Sequence, residues 1–459
     1  VILFTDPVYD AADSRGLPML NWNEIDDDDA YQAARFDLLK LLEGSTRRPY
    51  VDGVGDPTIG IGFNLVYNLE PVMRIIVGAG NWSDTLFKRV KAEIDRSYQP
   101  GDGERLVANL DRVMAEWHNK RDSDVPAQFG FRNDAQVAKA LDALAPQYDR
   151  IIESWVGDIP DSDERAALFS LAWNAPGLLG PKLKAAIDTG DRPEAWYEIR
   201  YNSLSSSLPD GLKGAIANRR YAEADTFGLY DGDGRATFAQ ALDAGRMVAA
   251  HHTAILAYED TFDPLQAASI KGVDSIQALS GELQPAIKAV LRRLDLTVDH
   301  RLETLLVADG QRRNLAGEGT GHDSSGNDDD LLLGDKTANR IDGGGGRDVL
   351  AGMEGADLLT GGKGADIFVF SEGDSPTTGR IDRIADFGSG SDRIALNSFE
   401  LDFDILGEGR PFTGARSEIR WIEKAGKTIV EIDADADGEA DLRVALLGKT
   451  EISADDFLF

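Results

Sequence analysis

Residues 343–369 read GGGGRDVLA, GMEGADLLT and GGKGADIFV, three consecutive nonapeptides in one register. A nine-residue period leaves few folds open to this part of the chain. Glycine permits positive φ, so each unit turns sharply and aims its backbone carbonyls at one point. Asp348, Asp357 and Asp366 are each followed two residues later by an apolar side chain, Leu350, Leu359 and Phe368. The pattern predicts a glycine-rich turn and a very short strand per unit, with the apolar residue pointing inward. The register extends backward in weaker form, with Asp330 and Asn339 at the acidic position and Leu332 and Ile341 after them. Five rows result, three complete and two degraded.

One nonapeptide makes half a turn of a parallel β-roll, so units eighteen residues apart stack on one side. Asp348 and Asp366 are expected on one edge, Asp357 and Asn339 on the other. Carboxylate and carbonyl oxygens at this density select calcium. The candidate ligands are Asp330, Asn339, Gly344, Gly346, Asp348, Gly355, Asp357, Gly362, Gly364 and Asp366. Without a cation these aspartates repel one another across a thin core, so folding should depend on the metal. A flexible Gly/Asp linker would need no such register.

This zone resembles the RTX family of calcium-binding secreted proteins. RIDRIADFGSGSDRIAL (380–396) looks like the segment after the β-roll in serralysin-type secreted proteases, and IVEIDADADGEADLRVALLG (429–448) looks like the end of the same module. The chain has no H-E-x-x-H, so a zinc peptidase is not expected. ADDFLF at 454–459 is similar to C-terminal signals for type I secretion. The resemblance implies calcium as cofactor, the type I secretion machinery as partner, and an extracellular protein of a Gram-negative bacterium. Two acidic turns stay open at this point. Asp433, Asp435 and Asp437 with Gly438 fit another calcium site or a solvated hairpin. Asp231 and Asp233 before Gly234 fit a cation site or a polar turn.

The rest of the chain is different in kind. The 459 residues carry a formal net charge of −32. That argues against nucleic acid and anionic membrane surfaces as partners. No run of apolar residues is long enough to insert into a membrane. The first twenty residues have neither a basic start nor an apolar stretch, so no cleavable signal peptide is expected. Cysteine is absent, which excludes disulfides and cysteine–zinc sites.

AARFDLLKLLEG (33–44) reads as an amphipathic helix with Phe36, Leu39 and Glu43 on one face. Burial and the negative end of the helix dipole would both hold Glu43 neutral and able to donate a proton. Pairing with Arg47 or Arg48 would oppose this. Asp52 follows nine residues later in a polar Asp-Gly turn, where it would stay ionised. Thr58 precedes the run TIGIG, which reads as a strand. Two carboxyls in contrasting settings are the equipment of a glycosidase.

Glu43, Asp52 and Thr58, with EGSTRRPYVDG and PTIGIGFNL around them, resemble the catalytic motif of phage-type lysozymes. ERAALFSLAWNAPGLL (164–179) and DGLKGAIANRRYAEADTF (210–227) are similar to helices of that family's second lobe. The family usually has histidine after TIGIG, where this chain has Phe63. The resemblance implies hydrolysis of the β-1,4 bond between N-acetylmuramic acid and N-acetylglucosamine in peptidoglycan. Glu43 would be the general acid, with Asp52 and Thr58 positioning the water, and the sugar would be inverted. Trp173 and Trp196 read as core residues, and Arg219 and Arg220 as salt-bridge partners, ahead of any contact with sugar.

The expected architecture is therefore an α+β lysozyme-like fold, mainly helical with two lobes and a small β-sheet, plus a C-terminal all-β parallel β-roll. Residues 1–30 form an N-terminal extension. The lysozyme-like domain spans 31–230 with an insertion at about 66–160. A helical spacer covers 231–310, and the calcium-binding roll with its secretion signal covers 311–459. The competing functions are a non-catalytic cell-wall or glycan-binding RTX protein and a calcium-dependent adhesin.

Overall fold

The computed structural model describes residues 20–121, 124–204, 210–232, 235–264, 279–293, 303–308, 311–314, 330–334, 338–371, 373–377, 379–396, 401–448 and 451–459. Contacts divide the chain into two units, and among the described residues the first runs to Gly228 and the second from Leu229.

In the first unit, α1 (Asp28–Glu43) is capped by Asp27, whose side chain accepts from the Ala30 N–H. Asp28 and Asp29 lie in its first turn, where the helix dipole favours acids. The helix therefore begins within the last residues assigned to the N-terminal extension. β1 (Thr46–Val51), β2 (Pro57–Gly60) and β3 (Phe63–Asn64) form an antiparallel sheet in that order. TIGIG is not one strand. Gly60 and Gly62 have φ of 71° and 91°, so the chain turns at Ile61–Gly62 and returns as β3.

Helices follow: α2 (Leu65–Val77), α3 (Asp84–Ile94), α4 (Gly103–Arg121), α5 (Asp134–Val156), α6 (Asp163–Asn174), α7 (Pro181–Asp188), α8 (Arg192–Tyr197) and α9 (Asp210–Phe227). α6 is the centre. Residues 166–172 are buried on every face, as expected for a helix whose apolar and small residues run all round it. It packs against α1, α5 and α9. Its Glu164 is fully buried and pairs with Arg192 at 2.5 Å. The 66–160 stretch contributes to the core of this unit. Met73, Val90, Leu110 and Leu141 from α2 to α5 are all fully buried. Trp196 lies in the core, and Phe63 is buried edge-on to Phe131 and Trp173.

In the second unit, α10 (Phe238–Phe262) opens with a capping box between Thr237 and Gln240. It packs on the helix Gln284–Arg293 and on the strand β4 (Glu303–Ala308). Strands β4 and β5 (Gln311–Asn314) begin the β part at 303, inside or just beyond the stretch that the sequence pattern assigns to a helical spacer. Arg246 of α10 reaches the buried carboxylate of Asp374 at 2.9 Å.

The remaining strands are β6 (Asp330–Leu333), β7 (Arg340–Gly345), β8 (Val349–Ala351), β9 (Leu358–Lys363), β10 (Ile367–Val369), β11 (Asp382–Ile384), β12 (Arg393–Ala395), β13 (Asp404–Glu408), β14 (Glu418–Lys424), β15 (Lys427–Asp433), β16 (Leu442–Leu447) and β17 (Phe457–Leu458). Among the described residues they form two sheets, ordered β17-β12-β10-β8-β6-β4-β5 and β13-β14-β15-β16-β11-β9-β7. Val349 pairs with Ile367 and Arg340 with Leu358, parallel and eighteen residues apart in both sheets. Leu332, Ile341, Leu350, Leu359 and Phe368 are fully buried and meet in one core. The nonapeptide reading of this region therefore holds in strand, register and inward residue. The C-terminal tail joins the same structure, with Phe457 paired to Ile394.

Candidate functional site

The roll is built so that each aspartate closes the turn before it. The N–H of Asp348 donates to Asp366 Oδ1 at 3.0 Å, and the N–H of Asn339 donates to Asp357 Oδ1 at 2.7 Å. Asp348 and Asp366 thus share one edge, Asn339 and Asp357 the other. Asp348, Asp357 and Asp366 are almost wholly buried. Asp330 opens β6; its side chain lies outside the described residues, as do Asp233 and Gly234.

The ladder continues past the last nonapeptide. The N–H of Asp357 donates to Asp382 at 2.7 Å, and that of Asp366 to Asp392 at 3.1 Å. Sequence reasoning missed these two because the step changes from eighteen residues to 25 and 26. Their signal was the pair of DR-I segments, RIDRI and SDRIAL, each ending in a strand. Asp386 adds a carboxylate that accepts from the N–H groups of Gly361 and Gly362 at 3.0 and 2.8 Å.

The turns are cradles with no room for a side chain. A Cβ at Gly343, Gly352 or Gly361 would come within 2.3 Å of Oδ2 of Asp348, Asp357 or Asp366. At Gly362 and Gly364 it would strike the carbonyls of Gly344 and Gly346 at 2.1 and 1.6 Å. Gly344, Gly346, Gly355, Gly362 and Gly364 all have positive φ. Asp382 Oδ2 is buried without a hydrogen-bond partner, and burial pushes this carboxyl up to about 7 against the bond it accepts from the Asp357 N–H. Convergent carbonyls, buried carboxylate oxygens and excluded side chains fit a hard cation with oxygen ligands.

In the first unit, α1 ends at Glu43 because Gly44 turns the chain away at φ 72°. Asp52 sits at the tip of the β1–β2 hairpin. Its Oδ1 accepts from the N–H groups of Val54 at 3.0 Å and Asp56 at 2.8 Å. Thr58 is buried, and its hydroxyl lies 3.5 Å from Asp52 Oδ2 and 3.2 Å from the Asp56 carbonyl. Asn64 ties the base of the hairpin through Asp56 at 2.9 Å. Burial raises the Tyr50 hydroxyl above its ordinary value, and the nearby charges of Glu43 and then Asp52 add to the rise.

The surroundings of Glu43 differ from those expected. It is partly exposed rather than sunk in an apolar niche, and it is paired with Arg219. Arg47 and Arg48 are engaged elsewhere, with Asp134 at 2.9 Å and Asp111 at 2.5 Å. Arg219 is buried and also holds Glu223 at 2.9 Å and the carbonyl of Ser170 at 3.1 Å. Burial works against its charge, but Glu223 and Glu43 outweigh it and the net shift is upward. Arg220 pairs with the same Glu223 and donates to Asn174 at 2.7 Å. The Arg219–Glu43 pair spans 176 residues, too far for any local pattern to reveal.

Residues 324–459 match the family described as Peptidase M10 serralysin C terminal. The solved structures that match include two subunits of a mannuronan C5-epimerase of Azotobacter vinelandii. The AlgE6R3 subunit is 32% identical, over 29% of this chain and 80% of that one, at a TM-score of 0.15. The AlgE6R2 subunit is 25% identical, over 28% of this chain and 91% of that one, at a TM-score of 0.19. No curated protein matches. The C-terminal part is a serralysin-like module of RTX type, and the family match begins at residue 324.

Proposed function

We propose that this is a secreted, calcium-binding RTX protein whose helical unit engages the glycan of peptidoglycan. The observation that carries the calcium reading is the set of glycine cradles, in which no Cβ fits beside the carboxylates of Asp348, Asp357 and Asp366. The ligands would be those carboxylates with the carbonyls of the positive-φ glycines. Bound calcium would supply the positive charge that lets adjacent turns stack. The serralysin-type match supports export by type I secretion. Low calcium inside a cell and millimolar calcium outside would keep the roll unfolded during passage and fold it afterwards.

For the glycan, hydrolysis is the first reading. Water attacks C1 of the muramic acid residue while the C1–O bond breaks. Glu43 gives its proton to the departing oxygen, and Asp52 takes the proton of the water held beside Thr58. The bond between Thr58 and Asp52 supports this division of labour. A second reading, binding without cleavage, is favoured by the Arg219–Glu43 pair, which supplies a cation to the group that must be a proton donor. The calcium-folded module is common to both and has the greater support.

Release of reducing ends from purified peptidoglycan separates the two. Hydrolysis predicts turnover by the wild type and a loss of at least about a hundredfold in Glu43→Gln. Cosedimentation with peptidoglycan and equal, negligible turnover by both proteins would establish binding alone. Neither turnover nor cosedimentation would remove the glycan reading and leave the calcium module.

A further inference from the structure

We propose that the turn joining β15 to β16 binds one calcium ion through Asp433, Asp435 and Asp441, at a site separate from the nonapeptide turns. Each of the three offers a carboxylate oxygen, and these lie within 4.8 Å of one another. Calcium takes its oxygens at roughly 2.3–2.6 Å, so ligands across one ion stand up to about 5 Å apart. The spacing suits a shared ion without rebuilding the turn.

The second observation is independent of that clustering. Asp433 is fully buried at the end of β15. Its Oδ2 accepts from the Gly438 N–H at 2.9 Å, while Oδ1 is buried with no hydrogen-bond partner. A buried carboxylate oxygen left without a donor bears its full desolvation cost. A cation held between it and the oxygens of Asp435 and Asp441 removes that cost. The sequence grouped Asp437 with Asp433 and Asp435. In the structure the Asp437 carboxylate is turned to the Glu439 N–H at 2.8 Å, and Asp441 takes its place.

The site has a structural purpose. Asp441 Oδ2 accepts from the Ala434 N–H at 2.7 Å, which draws the two ends of the turn together. A neighbouring strap packs on the turn, with Ser417 Oγ donating to the Ala434 carbonyl at 2.7 Å and Gly414 against Gly438. β16 pairs with β11, so a cation here would fix the hairpin where the sheet leaves the repeats. A flexible turn with several carboxylates suits calcium over magnesium, which requires a tight octahedron and keeps its waters.

The proposal does not depend on the nonapeptides binding calcium. The test counts calcium ions bound to the full chain at saturating free calcium, by equilibrium dialysis and atomic emission. The double variant Asp435→Asn/Asp441→Asn should bind one ion fewer than the wild type, and Asp437→Asn should match the wild type. An unchanged count in the double variant, or the same loss in both, overturns the site. Asp348→Asn/Asp366→Asn, measured alongside, reports on the repeats separately. Should the double variant not fold, the single variant Asp435→Asn, at an exposed position, decides by the same count. It should bind one ion fewer than the wild type, and an unchanged count overturns the proposal.

Discussion

The N–H of Asp348 donates to Oδ1 of Asp366 at 3.0 Å, so one carboxylate binds the backbone of the preceding turn while its Oδ2 faces the glycine of its own turn. Each aspartate therefore does two jobs. It aligns adjacent turns, and it presents oxygen where no side chain fits. Asp357→Ala should lose both. In a calcium titration of the full chain followed by circular dichroism, its midpoint should rise about ten- to a hundredfold.

The close approach of Gly364 to Gly346 makes a second prediction. At Gly364 a Cβ would meet the Gly346 carbonyl at 1.6 Å, and φ is 141°. Gly364→Ala should destabilise the second unit by about 3 kcal/mol in chemical denaturation at saturating calcium. Gly214 lies in α9 with open space around it. Gly214→Ala should stabilise the first unit by about 1 kcal/mol.

Arg219 is the buried cation between Glu43 and Glu223. Arg219→Met leaves Glu223 with Arg220 and takes from Glu43 the guanidinium it pairs with. Removing one member of a buried ion cluster costs about 3–5 kcal/mol, and thermal unfolding should register that loss.

Tyr31 predicts an alkaline limit. Burial raises its hydroxyl to about 12, with Arg35 and Arg165 opposing the rise. In the unfolded chain it ionises near 10. The folded state therefore keeps a proton that the unfolded state loses, so the stabilisation is complete below pH 10 and disappears as pH rises towards 12. That is about 3 kcal/mol. Urea unfolding of wild type and Tyr31→Phe from pH 9 to 12 should show the wild type alone losing this increment.

The roll was legible because its information is local. A nine-residue period fixes turn, strand and inward residue together, and stacking at eighteen follows. Legibility ended where loops after Phe370 lengthen the step, so Asp382 and Asp392 escaped notice. In the first unit, the N-terminal helix, the Asp52 turn and the core role of Trp196 were readable from spacing and polarity. The break in TIGIG was not, because Ile59 and Ile61 alternate with glycine as in a strand, and only the entry of Phe63 into the core selects the turn that Gly60 and Gly62 permit. The partner of Glu43 was invisible, since only the packing of α9 on α6 brings Arg219 there. Strand β4 was hidden by the apolar run LETLLVA, which fits a helix as well as a buried strand.

The most direct test of the central claim is hydrogen exchange of the full chain in calcium and in chelator. The amides of Asp348, Asp357 and Asp366 should be protected in millimolar calcium and exchange freely in chelator, with a midpoint of roughly 10⁻⁴–10⁻³ M. Amides of α6 should be protected in both. Equal protection of the three aspartate amides with and without calcium would contradict a module that folds on its metal.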